Sequence, residues 1–332
     1  MPLNPDIDRA AALLRSGGLV AFPTETVYGL GANALDPDAV ARIYAAKGRP
    51  AWNPVIVHVA SIEAARVLVS DWSDDAQRLA EAFWPGPLTL VLPRSPAVPD
   101  IVTAGLGNVA IRIPSHPTAL ALLRLCGVPV AAPSANRFTA VSPTTAAHVI
   151  ESLGDRVDMV LDGGASDVGI ESTVVDVTVA PALVLRPGMI SRDRLEVVLG
   201  REVHYRSTSV AADTLPQPAP GQAARHYAPR ADVWLFEPED SAEVISALAS
   251  GHHQASTAAG QRRALVIHLA AGVLSAQADE HRMPGLPDLY ARDLYAELRR
   301  ADADGIRLLL VELPPRHDEW TAIHDRLTRA AH

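Results

Sequence analysis

The chain reads as two α/β domains, and three observations lead there. Over the first two hundred or so residues, short β-branched runs alternate with amphipathic stretches, the pattern of helices layered on a sheet. Residues 207–229, STSVAADTLPQPAPGQAARHYAP, are mostly proline, alanine and small polar residues without any period, the composition of a semi-extended linker. Beyond it, further strand-like runs alternate with helical ones, a second and smaller α/β unit. The length of 332 residues agrees, because single cores stop growing at ~250–300 residues. The expected domains are therefore 1–206 and 230–332, joined by 207–229.

In order along the first domain, the expected strands are GLVAFP, PVIVHV, PLTLVLP, NVAIRIP, VPVAAP, VDMVLD, STVVDV and ALVLRP. Helices are expected to start near Asp6, Asp36, Ser73, His116, Pro143 and Ser191. Asp36-Pro37 and Ser142-Pro143 each set a capping residue before a proline at the first helical position, where its missing N–H is no loss. In the second domain ADVWLFEP, RRALVIHLA and GIRLLLVELP are expected strands, and Ser241–Ala249, Leu286–Ala303 and Asp318–Ala330 expected helices. Five strands end alike, in FPTET, LPRS, RIPSH, APSAN and LRPG. Each puts proline and a polar or cationic residue at the carboxyl end of a strand, the edge of an α/β sheet where ligands bind. Five together point to one large polar cavity built from many loops.

Composition excludes several classes. A net charge of −9 is unsuited to coating nucleic acid, though a basic cleft within an acidic protein would still focus anionic ligands. One cysteine, Cys126, allows no internal disulfide and no cysteine cluster for zinc, and its apolar setting, TALALLRLCG, is that of a core residue. The twelve histidines make no H-E-x-x-H or other spaced set, so no metal is expected to be held by protein alone. There is no signal peptide and no apolar stretch long enough to cross a bilayer, so a cytoplasmic location and no membrane partner are expected. Gly29-Leu30-Gly31-Ala32-Asn33-Ala34 fits the dinucleotide pattern G-x-G-x-x-A. However, FPTETVY separates it from the strand, and no acidic residue follows where a ribose would need one. P-loop and G-x-S-x-G motifs are absent.

What remains is a set of polar clusters. Lys47 is the sole lysine beside 28 arginines. It suits a site that needs a compact point charge, such as a phosphate group, or else simply closes a helix. Around it lie Arg49 and Asn53 in KGRPAWNP, then His58 on the following strand. Thr24, Thr26 and Tyr28 bring hydroxyls in FPTETVYGLG, and Arg112 stands near a strand end in NVAIRIPSH. APSANRFTAVSPTT carries Ser134, Asn136 and Ser142, GIESTVVDV carries Ser172 and Thr173, and LRPG carries Arg186. Arginine forks suit carboxylate and phosphate, and hydroxyls suit phosphoryl oxygens.

Taken together, FPTETVYGLG, KGRP–NP, PGPLTLVLP, IRIPSHP, APSAN–SP, DGG–GIESTVVD and LRPG resemble, in order, the motifs of the YrdC-like threonylcarbamoyl-AMP synthase family. PGQAARHYAP and the smaller domain resemble its long, two-domain form, so the resemblance covers nearly the whole chain. It implies a twisted open mixed sheet with helices around a large cavity, and a smaller Rossmann-like second domain. It implies synthesis of threonylcarbamoyl-adenylate from L-threonine, bicarbonate (or CO2) and ATP, with Mg2+ carried by the nucleotide. It also implies a tRNA threonylcarbamoyl-transferase complex as the taker of the product, with weak direct tRNA contact. By this resemblance Thr26, His58, Arg112 and Ser172 hold threonine, with backbone from Ala132. Arg49, Asn53, Asn108, Ser134, Asn136, Ser142 and Arg186 bind the nucleotide, and Lys47, with Arg49, faces the phosphates as the catalytic cation pair. His226 and Tyr227 match the linker element that reaches back over the nucleotide. One departure stands out: Gln222, Ala223 and Ala224 occupy positions where the family commonly has methionine and lysine, which puts the lid contacts in question.

Two other readings are weighed. A module for tRNA or double-stranded RNA is disfavoured by the acidic balance, and by Arg292, Arg299 and Arg300 having acidic neighbours on helical patterns. A carbamoyltransferase of hydrogenase maturation would need cysteine-rich zinc elements, which one cysteine excludes.

Overall fold

A computed structural model describes residues 5–206, 226–241, 243–244, 264–269 and 279–331. They fall into two compact units. The first holds the chain through Phe138 and again from Ser142; the second holds Thr139–Val141 and the described residues from His226 onward. Most of the expected linker, including Gln222, Ala223 and Ala224, lies outside the described residues. Its last four residues, His226 to Pro229, count with the second unit.

The first unit runs α1 (Pro5–Arg15), β1 (Val20–Phe22), β2 (Gly29–Asn33), α2 (Pro37–Lys47), β3 (Val57–His58), α3 (Ile62–Arg66), α4 (Asp74–Phe83), β4 (Leu88–Pro93) and α5 (Asp100–Thr103). It continues with β5 (Asn108–Arg112), α6 (Pro117–Cys126), β6 (Val130–Ala131), α7 (Ala146–Leu153), β7 (Met159–Val160), β8 (Thr173–Asp176), β9 (Ala182–Arg186), α8 (Arg192–Leu199) and β10 (Val203–Tyr205). All eight expected strands are present. Together with β2 and β10 they form, among the described residues, one mixed sheet in the order β10-β9-β8-β4-β5-β3-β6-β2-β1-β7.

Local chemistry accounts for the elements and for the differences from expectation. Asp36 caps α2 by accepting from the amides of Asp38 and Ala39, and Gly48 ends it in the left-handed conformation. The glycine-rich Gly29–Asn33 is a strand, antiparallel to both β1 and β6, so it is not the turn that a dinucleotide motif requires. Ser142-Pro143 does not start α7. Thr145 caps that helix at the His148 amide, while the Ser142 hydroxyl donates to Glu171 Oε1 at 2.6 Å.

The two faces of this sheet differ. One packs on α2, α4, α5, α7 and α8 through a continuous core that includes Ile43, Leu79, Leu90, Val149 and Leu195. On the other, α1 and α6 pack with Val20, Phe22 and Val130 and bury Cys126, as expected of it. Across β4, β5, β8 and β9, and beside β3, that second face carries a small separate floor of Ile56, Val91, Ala110, Val174 and Leu185, to which no helix contributes. Side chains alternate along a strand, so Asn108 and Arg112 share the floor's face with Ala110, Thr89 with Val91, and His58 with Ile56.

In the second unit β11 (Asp232–Phe236), β12 (Ala264–His268), β13 (Asp279–Arg282) and β14 (Leu308–Glu312) form a sheet in the order β11-β14-β12-β13. All its pairings are parallel, the Rossmann-like arrangement expected. Helices α9 (Pro287–Ala303) and α10 (Thr321–Ala330) follow their expected positions, α10 after a 3-10 turn at Asp318–Trp320. The expected helix at Ser241–Ala249 lies largely outside the described residues. β13, reading DEHR, has no apolar residue to announce it and joins the sheet at its edge beside β12. Among the described residues no helix is long and apolar enough to cross a membrane.

Candidate active site

Three knots of buried polar side chains lie in the first unit. The first centres on Arg112, the last residue of β5. Its Nη1 donates to Thr26 Oγ1 at 2.8 Å, its Nε to the Gly86 carbonyl at 3.3 Å, and its Nη2 lies 2.7 Å from Glu25 Oε1. The loop after β1 reaches it because Thr24 organises a turn: its hydroxyl donates to the Val27 carbonyl at 2.6 Å and lies 2.9 Å from Thr26 Oγ1. Ser166 and Val168 brace this loop, donating to the carbonyls of Thr24 and Glu25. His58, paired across the strands with Arg112, is 3% exposed. Burial, and next the Arg112 charge, push its pKa down to about 3, so the imidazole is neutral near pH 7.

The second knot is Ser172, just ahead of β8. Its hydroxyl lies 2.8 Å from Thr89 Oγ1 and takes a bond from Arg186 Nη2 at 3.1 Å, while Arg186 Nε donates to the Ser172 carbonyl. Gly188 permits this, because a Cβ there would stand 2.3 Å from the Thr173 amide nitrogen.

The third knot joins α2 to the segment after β6. Lys47 Nζ donates to the carbonyls of Ser134 and Asn136, both at 2.5 Å. Burial, reinforced by Arg49 and opposed by Glu171, holds its pKa well below the ordinary lysine value. Arg49 donates to Asn53 Oδ1 at 2.6 Å and to the Pro54 carbonyl at 2.7 Å. Ser142 belongs here through Glu171, which precedes Ser172 in the chain and so joins the second knot to the third.

The structure therefore gathers Thr26, His58 and Arg112; Ser172 and Arg186; and Lys47, Arg49, Asn53, Ser134, Asn136 and Ser142. Ala132 lies beside the floor, its N–H committed to the Ile56 carbonyl at 2.9 Å. Asn108 shares the floor's face but sits at the opposite end of β5 from Arg112, its amide 3.4 Å from Thr178 Oγ1. His226 and Tyr227 belong to the second unit. There the His226 N–H donates to the Arg329 carbonyl, and the Tyr227 ring stacks on Tyr295 with the Arg326 guanidinium 4.9 Å from its centre. Tyr28 is a brace: its hydroxyl donates to the Gly164 carbonyl at 2.7 Å. Sequence reasoning passed over Glu25, Thr89 and Glu171. A carboxylate between two threonines in FPTET, and a lone hydroxyl on the apolar strand LTLVLP, were the available signals.

Among the described residues no group of three His, Cys, Asp or Glu could hold a metal ion. What the knots share is buried positive charge, from Lys47, Arg49, Arg112 and Arg186, set among hydroxyls and amides in an acidic chain. Such a place suits an anionic ligand of several charges.

Comparison with known proteins agrees over the whole chain. A family model described as telomere recombination, that of the Sua5, YciO and YrdC proteins, matches residues 12–188. One described as threonylcarbamoyl-AMP synthase, C-terminal domain, matches residues 190–332. The threonylcarbamoyl-AMP synthase of Pyrococcus abyssi is 44% identical over 97% of this chain and 93% of its own. That of Bacillus subtilis is 43% identical over 99% and 93%. A crystal structure of Pyrococcus abyssi Sua5 complexed with L-threonine superposes with a TM-score of 0.89 at 40% identity, covering 98% of this chain and 94% of that one. With both domains matched and such identity over nearly full length, the chain belongs to the threonylcarbamoyl-AMP synthase family, whose members are nucleotidyltransferase-type enzymes.

Proposed function

We propose that this chain condenses L-threonine, bicarbonate and ATP into threonylcarbamoyl-adenylate, releasing pyrophosphate and one water. The observation that carries the reading is the buried set Lys47, Arg49, Arg112 and Arg186 in a chain of this family. Arg112 takes the amino acid's carboxylate in its fork, with Thr26 and Ser172 beside it. Bicarbonate loses water to give CO2, threonine's ammonium gives up a proton, and the free amine adds to the CO2 carbon with loss of a second proton to give a carbamate, one proton being released overall. A carbamate oxygen attacks the α-phosphorus of ATP in line, the bond from that phosphorus to the bridging oxygen breaks, and pyrophosphate leaves with the electron pair. Such transfer rests on positioning and charge neutralisation and needs no protein nucleophile. Lys47, Arg49 and Arg186 offset polyphosphate charge, while Asn53, Ser134, Asn136 and Ser142 orient the nucleotide. Magnesium bound to the triphosphate would spread the charge of the leaving group, and such an ion would need few ligands from protein. The adenylate is a reactive mixed anhydride, which suits it to hand on its threonylcarbamoyl group, and the family resemblance names tRNA as the acceptor through a separate transferase.

The test is pyrophosphate release from ATP and magnesium, with L-threonine and bicarbonate added singly and together. Release that requires both is expected. Release without threonine would assign another acceptor, and ATP binding without any release would favour a nucleotide-dependent binding module.

A further inference from the structure

Arg112 and Glu25 form a buried pair, their side chains 4% and 6% exposed. The pair is close but incomplete. Arg112 Nη2 and Glu25 Oε1 face each other across that contact, while Glu25 Oε2 and Nδ1 of the adjacent His58 have no hydrogen-bond partner. Orphaned polar atoms are rare in a folded interior, and here they adjoin at one place. The other buried carboxylates of this unit are engaged. Glu171 takes the Ser142 hydroxyl, and Asp176 takes the amide and hydroxyl of Thr178.

We propose that Arg112 and Glu25 together read an amino-acid zwitterion, the guanidinium taking the α-carboxylate and the Glu25 carboxylate taking the α-ammonium. This rests on the synthase reading and names the group that recognises the ammonium. An α-amino acid carries its two charges one carbon apart. A carboxylate docked on buried Arg112 therefore brings its ammonium into the same interior, where an unpaired charge is strongly disfavoured. Glu25 supplies the counter-charge 2.7 Å from the guanidinium. The pair is neutral as a whole, as is the zwitterion, so the four charges alternate without adding any net charge to the interior. His58, neutral, adds no competing cation.

The test compares binding of L-threonine with binding of its 2-hydroxy analogue, 2,3-dihydroxybutanoate of matching configuration, by calorimetry on the full chain. The wild type is expected to prefer threonine by at least about tenfold. Glu25→Gln keeps the size and loses the charge; it is expected to weaken threonine binding about tenfold or more and leave the hydroxy acid within about threefold. Equal losses for both ligands would mean that Glu25 merely props Arg112, and would overturn the proposal. A wild type that binds both ligands alike overturns it without any variant, so the test stands even where Glu25→Gln does not fold. A wild type that binds neither overturns the synthase reading and this inference together, a pattern distinct from the other two.

Discussion

Lys47 stands at the end of α2, yet it does not close that helix: Gly48 does so, donating to the carbonyls of Ala45 and Tyr44. The Nζ instead reaches two carbonyls beyond β6, in a space where 3% of the residue is exposed. A guanidinium is planar and larger, and cannot occupy that point between two oxygens without displacing them. Lys47→Arg should therefore lower threonine-dependent pyrophosphate release by at least about tenfold while keeping a charge. Near-normal turnover would restore the helix-closing role. His58 makes a second prediction, on stability. Its folded pKa lies near 3 against 6.5 for the free side chain, so below pH 6.5 the unfolded chain takes up a proton that the folded chain refuses. Stability then falls as pH falls, by roughly 1.4 kcal/mol per unit and so about 2 kcal/mol by pH 5. His58→Gln should show a smaller drop in melting temperature between pH 7 and 5 than the wild type, and an equal drop would rule the imidazole out as the cause. At this scale the sequence was partly legible. Arg112, Ser172 and Lys47 stand out as polar residues beside apolar strands or as the odd residue type. Thr89 does not, because its meaning comes from Ser172, 83 positions on.

Element by element, the strongest sequence signals were apolar runs, and they located β1, β3 to β9, β11, β12 and β14. β2, β10 and β13 escaped, and β2 and β13 did so for opposite reasons. β13 is four polar residues at the sheet's edge, and β2 carries two glycines in five residues because it is squeezed between two strands. A Cβ on Gly31 would lie 2.8 Å from both the Phe22 ring and a Val130 methyl. The glycines that imitate a nucleotide motif thus serve close packing of β1, β2 and β6. Gly31→Ala should cost about 1–3 kcal/mol through overpacking, read from denaturant unfolding. It should not alter ATP affinity beyond that loss. A stable variant with selectively weakened ATP binding would reinstate the glycine motif. The misplaced start of α7 has a similar lesson: Ser142-Pro143 has the local form of a cap, but a buried Glu171 competes for the hydroxyl, and Thr145 caps instead.

For the molecule as a whole, each unit has its own sheet and its own apolar cluster, so each has what an independent fold requires. The residues proposed to hold threonine, Thr26, Glu25, His58, Arg112 and Ser172, all lie in the first unit, whereas His226 and Tyr227, which the family resemblance assigns to the nucleotide, belong to the second. Removing everything after Arg206 should therefore separate two properties that point mutations blur. The shortened chain is expected to unfold cooperatively and to bind L-threonine within about threefold of the full chain, yet to release pyrophosphate at least about tenfold more slowly. Calorimetry and the pyrophosphate assay on the same preparation would check it. Full synthesis by the shortened chain would show that His226 and Tyr227 serve only the packing of Tyr295, Arg326 and Arg329. Loss of threonine binding in a folded shortened chain would place part of the amino-acid site beyond Arg206, against the division drawn from the buried knots.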